Sequence, residues 1–331
     1  MDAAGPGGKT VVTTMKNEGA FLIEWAAHYL TLGFDRLVIC TNDCEDPTPA
    51  MARRLQALGL GRHHATTIWA VTSIQRAALK QAFRYPEVAG AAWVFVCDAD
   101  EFLAIHTGDG SVDALIGAAT PEAEVICVPW RLFGPDGRAA YEDTPVTRQF
   151  TRAQAQPRRV GLAPPVFCKS VSRGGLQLKR PGIHSPIPHP DLGRSFIAEM
   201  PGGRRIEGGG TKLVLPDFRV AQVNHYALRS AESFLVKRDR GRVNHTNQIM
   251  NIDYWDRHDI AEEESDLIRR YDDAAGEWRA RLMADRELAD LHAAAVAWHR
   301  GRIAELQTRE DFAETVAAIA ERLAKCARLA S

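Results

Sequence analysis

Asp98, Asp100 and Glu101 follow directly on an uncharged run, Trp93 to Cys97, in the stretch WVFVCDADEFLAI. Two neighbouring carboxylates repel each other, and burial raises the cost of keeping both ionised. In an extended chain, side chains two apart face the same way, so Asp98 and Asp100 are expected to point together into a cleft. A divalent cation would relieve both penalties. All-oxygen ligation selects Mg²⁺ or Mn²⁺ over zinc, and Mg²⁺ commonly divides its shell between carboxylates and substrate phosphates. Such an ion would act as a Lewis acid on a departing diphosphate. The plainer reading is a solvated acidic turn, since a lone D-x-D arises often by chance. Its place at the end of a buried strand favours the metal.

The elements around this stretch must present it at a cleft. KTVVTTM reads as a strand rich in β-branched residues. NEGAFLIEWAAHYLTLG follows with helical spacing, placing Phe21, Trp25, Tyr29 and Leu32 on one face. Asn17 is expected to cap that helix and Gly33 to close it. FDRLVIC, TTIWAV, WVFVC and EVICVPW read as further strands. TPAMARRLQALG, SIQRAALKQAFRYPEVAGA (ending near Pro86) and VDALIGAA read as helices between them. Alternating strands and helices predict a parallel sheet with covering helices. Ligands of such sheets sit at the carboxyl ends of the strands. Those ends carry Met15–Glu18, Thr41–Asp46 and Asp98–Glu101, so three polar clusters are expected on one rim. Beyond residue 134 the pattern breaks. AQAQPRRVGLAPP, IHSPIPHPD and PGGRRIEGGG read as loops, with FCKSVS and FRVAQVNHYAL as strands between them. From Ala231 the chain turns helical. The expected organisation is a flexible tail at 1–8, a first half at 9–134, a second half of the same domain at 135–230, and a helical region at 231–331.

Composition sets outer bounds. The 331 residues are 45% hydrophobic and 25% charged, with a formal net charge of −1. Nothing global attracts nucleic acid or an anionic membrane. The six cysteines form no C-x-x-C pair, which speaks against zinc and fits a reducing compartment. The amino-terminal residues lack the apolar segment of a signal peptide, and no apolar run approaches the roughly 18–20 residues of a membrane helix. A cytoplasmic protein without a transmembrane segment is expected.

TTMKNEGAFLIEWAAHYLTLGFDRLVICTNDCEDPT resembles the opening of a bacterial branch of glycosyltransferase family 2. VFVCDADEFL resembles its D-x-D-E-F segment and PWRLFGPDG its W-x-x-F-G-x-x-G segment. FCKSV and NHYALRSAESFLVKRDRGR resemble its later strand and its N-H-Y…S…F-x-x-K…R-G-R signature. The matches run in order over roughly residues 10–245. Pro47 stands where a small polar residue or glycine is expected, and 185–212 matches none of the motifs. The resemblance implies a GT-A fold (α/β, a Rossmann-like, mostly parallel sheet with flanking helices), here with a helical C-terminal region. It implies a nucleotide-sugar donor, with a UDP-sugar as the expected one, and a hydroxyl acceptor on a glycan, a lipid-linked sugar or a protein. A lipid acceptor would require peripheral docking at a membrane.

By that resemblance Asp98 and Asp100 hold Mn²⁺ or Mg²⁺, with His225 as third ligand; the alternative for His225 is a core histidine. Lys16, Asn17, Glu18, Asn42 and Asp43 are expected at the base and ribose of the donor, as their amides and carboxylates suit N–H groups and hydroxyls. Arg76 and Lys80, four apart on one helix, could neutralise the diphosphate or simply face water. Glu101 could orient a ligand or pair with an arginine. Trp130 and Phe133 could form an acceptor platform. Lys237, Arg238, Arg240 and Arg242 could touch phosphates or an anionic acceptor, or simply face water; His184 or His189 could touch the donor phosphate. The family implies inversion, which needs a carboxylate base near the acceptor hydroxyl. Asp143 ranks first, ahead of Glu142 and Glu262 to Glu264. The alternatives are a metal-dependent nucleotide-sugar hydrolase and a non-catalytic carbohydrate-binding protein.

Overall fold

The structure, a computed structural model, describes residues 7–67, 73–156, 165–207, 211–214, 216–241 and 250–330. Most of the expected tail, part of TTIWAV, parts of the AQAQPRRVGLAPP and PGGRRIEGGG loops, and Arg242 lie outside the described residues.

The first half runs β1 (Lys9–Met15), α1 (Gly19–Thr31), β2 (Arg36–Thr41), α2 (Thr48–Ala57), β3 (Gly61–Ala65), α3 (Ile74–Ala82), α4 (Pro86–Ala89), β4 (Trp93–Val96), β5 (Glu101–Ile105), α5 (Val112–Gly117) and β6 (Val125–Leu132). Then come α6 (Val146–Gln149), β7 (Arg152–Ala153), β8 (Val166–Arg173), β9 (Leu178–Arg180), β10 (Ile187–Pro188), β11 (Ala198–Glu199), β12 (Arg205–Ile206), β13 (Lys212–Leu213) and β14 (Ala221–His225). The last part holds α7 (Ala231–Arg240), α8 (Ile252–His258), β15 (Glu263–Glu264), α9 (Asp272–Met283), α10 (Arg286–Thr308) and α11 (Ala313–Ala330).

The central sheet follows the order β12-β11-β6-β8-β4-β1-β2-β3. β1 is parallel to β2 and β4, and β2 to β3, so the expected mixed α/β fold with a largely parallel sheet is present. β8 inserts antiparallel between β4 and β6. β14 pairs antiparallel with β5 and parallel with β6, setting His225 beside Glu101. This pairing ties a strand from the second half to the acidic stretch.

Helix α1 lies on one face of the sheet, burying Phe21, Trp25 and Tyr29 as the helical spacing required. Its Tyr29 hydroxyl donates to the Glu101 carbonyl at 2.9 Å, and His28 Nε2 lies 2.8 Å from the Leu103 carbonyl. These bonds fix α1 to β5. On the opposite face α3 contributes Ala78, Leu79 and Ala82 against Val12, Val38 and Val94. A separate apolar cluster joins α7, α8, α10 and α11 through Phe234, Trp255 and Leu306.

Two local expectations change. Asn17 does not cap α1; it adopts a left-handed φ of 53° and its Oδ1 accepts from Glu45 N at 2.8 Å. The orphan amide of Gly19 is instead satisfied by Asp46 Oδ2 at 2.8 Å, from the loop after β2. The third parallel strand is Gly61–Ala65, upstream of the apolar TTIWAV. It is the edge strand, so it has no need of a continuous apolar run. Gly61 is required there because a Cβ would stand 1.8 Å from the Leu37 carbonyl oxygen. Gly61→Ala is expected to cost about 1–3 kcal/mol by overpacking, seen as a lower urea midpoint with unchanged slope.

Candidate active site

The chain reverses immediately after β4. Residues 97–100 lie outside β4 and Ala99 and Asp100 form a turn, so the two-apart rule does not apply to Asp98 and Asp100. They sit in a turn closed by the Glu101 amide on the Asp98 carbonyl at 3.2 Å, while the Asp98 amide donates to Glu101 Oε2 at 2.8 Å. The two aspartates consequently take different partners. Asp98 accepts from Gln75 Nε2 at 2.6 Å and from Lys169 Nζ at 2.9 Å. Asp100 accepts from Lys237 Nζ at 2.5 Å, and His225 Nε2 lies 3.7 Å from the same oxygen.

A second layer of charge lies beside the turn. Glu18, at the start of α1, meets Arg229 at 2.8 Å and Arg240 at 2.6 Å. Arg229 also donates to the Ala99 carbonyl at 3.2 Å and stacks 3.6 Å above the Phe21 ring. These contacts hold Arg229 at φ 56°, an uncommon conformation for a bulky residue. Ser230 caps α7 through the Ser233 amide, and the helix then carries Lys237 and Arg240 on the face turned to the aspartates. The carboxylates Glu18, Asp98, Asp100 and Glu101 thus meet the cations Lys169, Arg229, Lys237 and Arg240.

Electrostatics follow from this pairing. Burial raises the Asp98 carboxyl, but the charge and hydrogen bond of Lys169, together with His184, hold the group below the ordinary range. Burial acts likewise on Asp100, where Lys237 and then His225 hold the carboxyl well below it. Glu18 is lowered by Arg229 and Arg240 against burial. At Glu101 burial dominates and pushes the carboxyl well up. Glu101 is fully buried and partnered by Lys169 at 3.3 Å, not by an arginine. Its place is beneath the turn, where it fixes the Asp98 amide.

Two chambers meet beside this turn, at Trp130, His184 and His225. The smaller, of about 160 Å³, is bordered by Glu18, Gln75, Asp98, Asp100, Lys237 and Arg240. The larger, of about 770 Å³, is bordered by Phe167, Arg180, Arg257 and His258 among others. Trp130, Ile183, His184, His225 and Tyr254 belong to both walls. Of the residues expected at a donor, Glu18 and Asp98 border the smaller chamber and Arg76 the larger. Lys16, Asn17, Asn42, Asp43 and Lys80 border neither. Lys16 still touches the site by its carbonyl, which accepts from Arg240 at 2.5 Å. Asn42 is buried below the rim, and Asp43 is exposed with φ 41°.

Asp143 is not brought to the chambers. It lies 3.3 Å from His292 of α10 and lines a small separate cavity with Glu142. The chain leaves the site after Leu132 to reach α6, which carries this segment to the side of α1. Glu263 is paired with Arg131, and Glu262 accepts from the Ala155 amide at 2.7 Å. Phe133 is core, against Tyr226, whereas Trp130 stands at the junction of the chambers. Lys169 was not singled out from the sequence. The signal was a lone lysine inside the strand-like FCKSVS, where an uncompensated charge is not expected.

The residues present fit a divalent cation. Asp100 and His225 offer a carboxylate oxygen and a ring nitrogen to one chamber, and Asp98 borders the same space. Oxygen donors with one imidazole suit Mn²⁺ or Mg²⁺. Among the described residues no three His, Cys, Asp or Glu side chains already converge as a metal cluster. Further ligands would therefore come from substrate phosphate or water, as is common for Mg²⁺.

No protein-family model matches the chain. A glycosyltransferase family 92 protein of Ricinus communis is 28% identical over 157 residues, covering 45% of this chain and 27% of that protein. A family 92 protein of Oryza sativa subsp. japonica is 28% identical over 152 residues, covering 45% and 25%. The chain thus spans about a quarter of the length of the curated relatives it matches. Among solved structures, S. aureus TarS 1-349 in complex with UDP gives a TM-score of 0.28 at 14% identity, covering 41% of this chain and 38% of that one. TarS 1-349 with UDP-GlcNAc gives 0.26 at 17% identity, covering 41% and 37%. The curated relatives are named as glycosyltransferases of family 92, which supports the coarser expectation of a glycosyltransferase and leaves the family 2 branch without support. Among the described residues, no helix is long and apolar enough to cross a membrane.

Proposed function

We propose that the chain is a glycosyltransferase. It moves a sugar from a nucleotide-diphosphate donor, by preference a UDP-sugar, to an acceptor hydroxyl with inversion, and uses Mn²⁺ or Mg²⁺. The observation that carries this reading is the junction of two chambers at Trp130 and His225: one small, charged and bordered by Asp98 and Asp100, the other large and aromatic. A transferase needs two substrates whose reacting atoms meet at one place, and this geometry provides it. The relatives of family 92 support the same class.

Asp100 and His225 would hold the metal, with Asp98 at the border of the same chamber and the rest of the shell from substrate phosphate or water; when bound it supplies Lewis-acid stabilisation of the leaving diphosphate. The chain's own residues do the rest. Lys237 and Arg240 border the charged chamber and supply donors to phosphate oxygens. Lys169, with no solvent access, holds Asp98 ionised and in place. Trp130 offers a flat face to a sugar ring at the junction. The acceptor oxygen forms the new bond to the anomeric carbon as the bond to diphosphate breaks, and the hydroxyl proton passes to a base.

Thermal unfolding with Mn²⁺ and a series of nucleotides tests the reading. Ligand at 100 times its Kd should stabilise the fold by about 2.7 kcal/mol. A rise with UDP compounds that vanishes on removing Mn²⁺ is expected. No response to any nucleotide with metal present would defeat it, and fast release of the sugar to water without acceptor would point to a hydrolase.

A further inference from the structure

The larger chamber has a charge pattern that the donor does not explain. Arg76 of α3, Arg180 at the end of β9 and Arg257 of α8 stand around it, all exposed. No aspartate or glutamate is among the described residues that border it. None of the three arginines has a carboxylate partner among the described residues; Arg257 Nε donates only to the Asp253 carbonyl, at 3.0 Å. The same walls carry Trp130, Phe167 and Tyr254. Phe167 is 38% exposed, packs against His184 with ring centroids 5.0 Å apart, and has Lys212 Nζ 4.8 Å above its ring.

Aromatic faces set beside polar groups suit sugar rings, whose C–H faces stack and whose hydroxyls seek donors. Unpaired guanidinium groups around a chamber free of carboxylates suit an anion, since a planar fork matches carboxylate and phosphate oxygens alike. The volume of about 770 Å³ falls within the roughly 300–1,000 Å³ of pockets that enclose small ligands. The donor diphosphate is served by Lys237 and Arg240 in the other chamber, so Arg180 and Arg257 are surplus to it.

We propose that the larger chamber is the acceptor subsite and that it takes an anionic glycan, a sugar chain bearing carboxylate or phosphate groups. The inference rests on the transferase reading for the word acceptor, and on the chamber itself for the ligand class. Trp130 and Phe167 would take ring faces, and Arg180 and Arg257 the anionic substituents.

Calorimetric titration of the full chain in about 50 mM salt tests this, with four probes. They are hexameric oligogalacturonate, phosphorylated maltohexaose, neutral maltohexaose and a hexathymidylate. One or both anionic glycans should bind at least tenfold more tightly than neutral maltohexaose, and which of them does so identifies the anion. The double variant Arg180→Ala/Arg257→Ala should weaken the anionic glycan about tenfold and leave neutral maltohexaose and UDP–Mn²⁺ binding unchanged. Both positions are exposed, so the fold is expected to survive, which circular dichroism checks. Equal binding of neutral and anionic glycans, or no effect of the variant, would overturn the proposal. Tighter binding of the oligonucleotide would do so too, since an aromatic, basic groove can also serve a single strand. UDP–Mn²⁺ titration in parallel separates the two readings. If UDP binds and no anionic glycan does, only the acceptor inference fails; if UDP does not bind, the transferase reading fails.

Discussion

Lys169→Met is expected to remove about 3–5 kcal/mol of folding stability, the usual cost of deleting one partner of a buried ion pair. Methionine keeps most of the stem volume, so little of this comes from a cavity. The loss arises because Asp98 and Glu101 stay in place with no ammonium between them. Urea unfolding followed by tryptophan fluorescence measures it. A midpoint within error of the parent would show that Lys169 is not their counter-charge. Lys169→Met/Asp98→Asn should recover part of the loss, because the carboxylate left without its counter-charge is gone. The pH dependence has a definite sign. The Asp98 carboxyl is depressed below its ordinary 3.8, so its contribution is present above about pH 4 and fades as the pH falls through the depressed value. The gap between parent and Lys169→Met should therefore narrow on acidification towards pH 4 and below, as the stranded carboxyls take up protons.

Asp100→Asn should lower transfer by about 10²–10³-fold and abolish the Mn²⁺-dependent part of UDP binding, on the reading that Asp100 holds the metal. The change is nearly isosteric, but it leaves Lys237 facing an amide. Some stability will be lost for that reason alone. Asp100→Asn/Lys237→Met separates the effects: it should regain stability while UDP binding stays insensitive to Mn²⁺. Retained metal-dependent binding in either variant would remove Asp100 from the metal site. Titration of Mn²⁺ by electron paramagnetic resonance gives a readout independent of turnover.

The parallel sheet was legible because its parts obey local rules. β1, β2 and β4 are short apolar runs, and the spacing of Phe21, Trp25 and Tyr29 announces α1. Less was legible where tertiary contacts decide. Gly61–Ala65 contains two histidines and reads as nothing in particular; it is a strand because β2 offers a parallel edge. The acidic turn was located correctly, but its geometry was not. A strand reading put Asp98 and Asp100 on one face, whereas the bond from the Asp98 amide to Glu101 turns the chain and sends them to different lysines. Asp143 was favoured by its nearness in sequence to the acceptor segment. Only the path of the chain after Leu132 shows that it faces His292. Lys237 and Arg240 were recognisable as a basic helix end, but their partners Asp100 and Glu18 lie too far away in the chain for any local pattern to name them.

That separation has a kinetic consequence. Asp100 precedes Lys237 by 137 residues and Glu18 precedes Arg229 by 211. At a ribosomal pace of about 5–20 residues per second, Glu18 is made roughly 10–40 s before its counter-ion exists. β5 likewise waits for β14, its antiparallel neighbour. A nascent first half can assemble β1, β2 and β4, and Lys169 can then reach Asp98 and Glu101, yet Glu18 and Asp100 stay unneutralised until the segment from Arg229 to Arg240 is translated. Synthesis interrupted before α7 would leave a folded sheet with an electrostatically frustrated edge at Glu18 and Asp100.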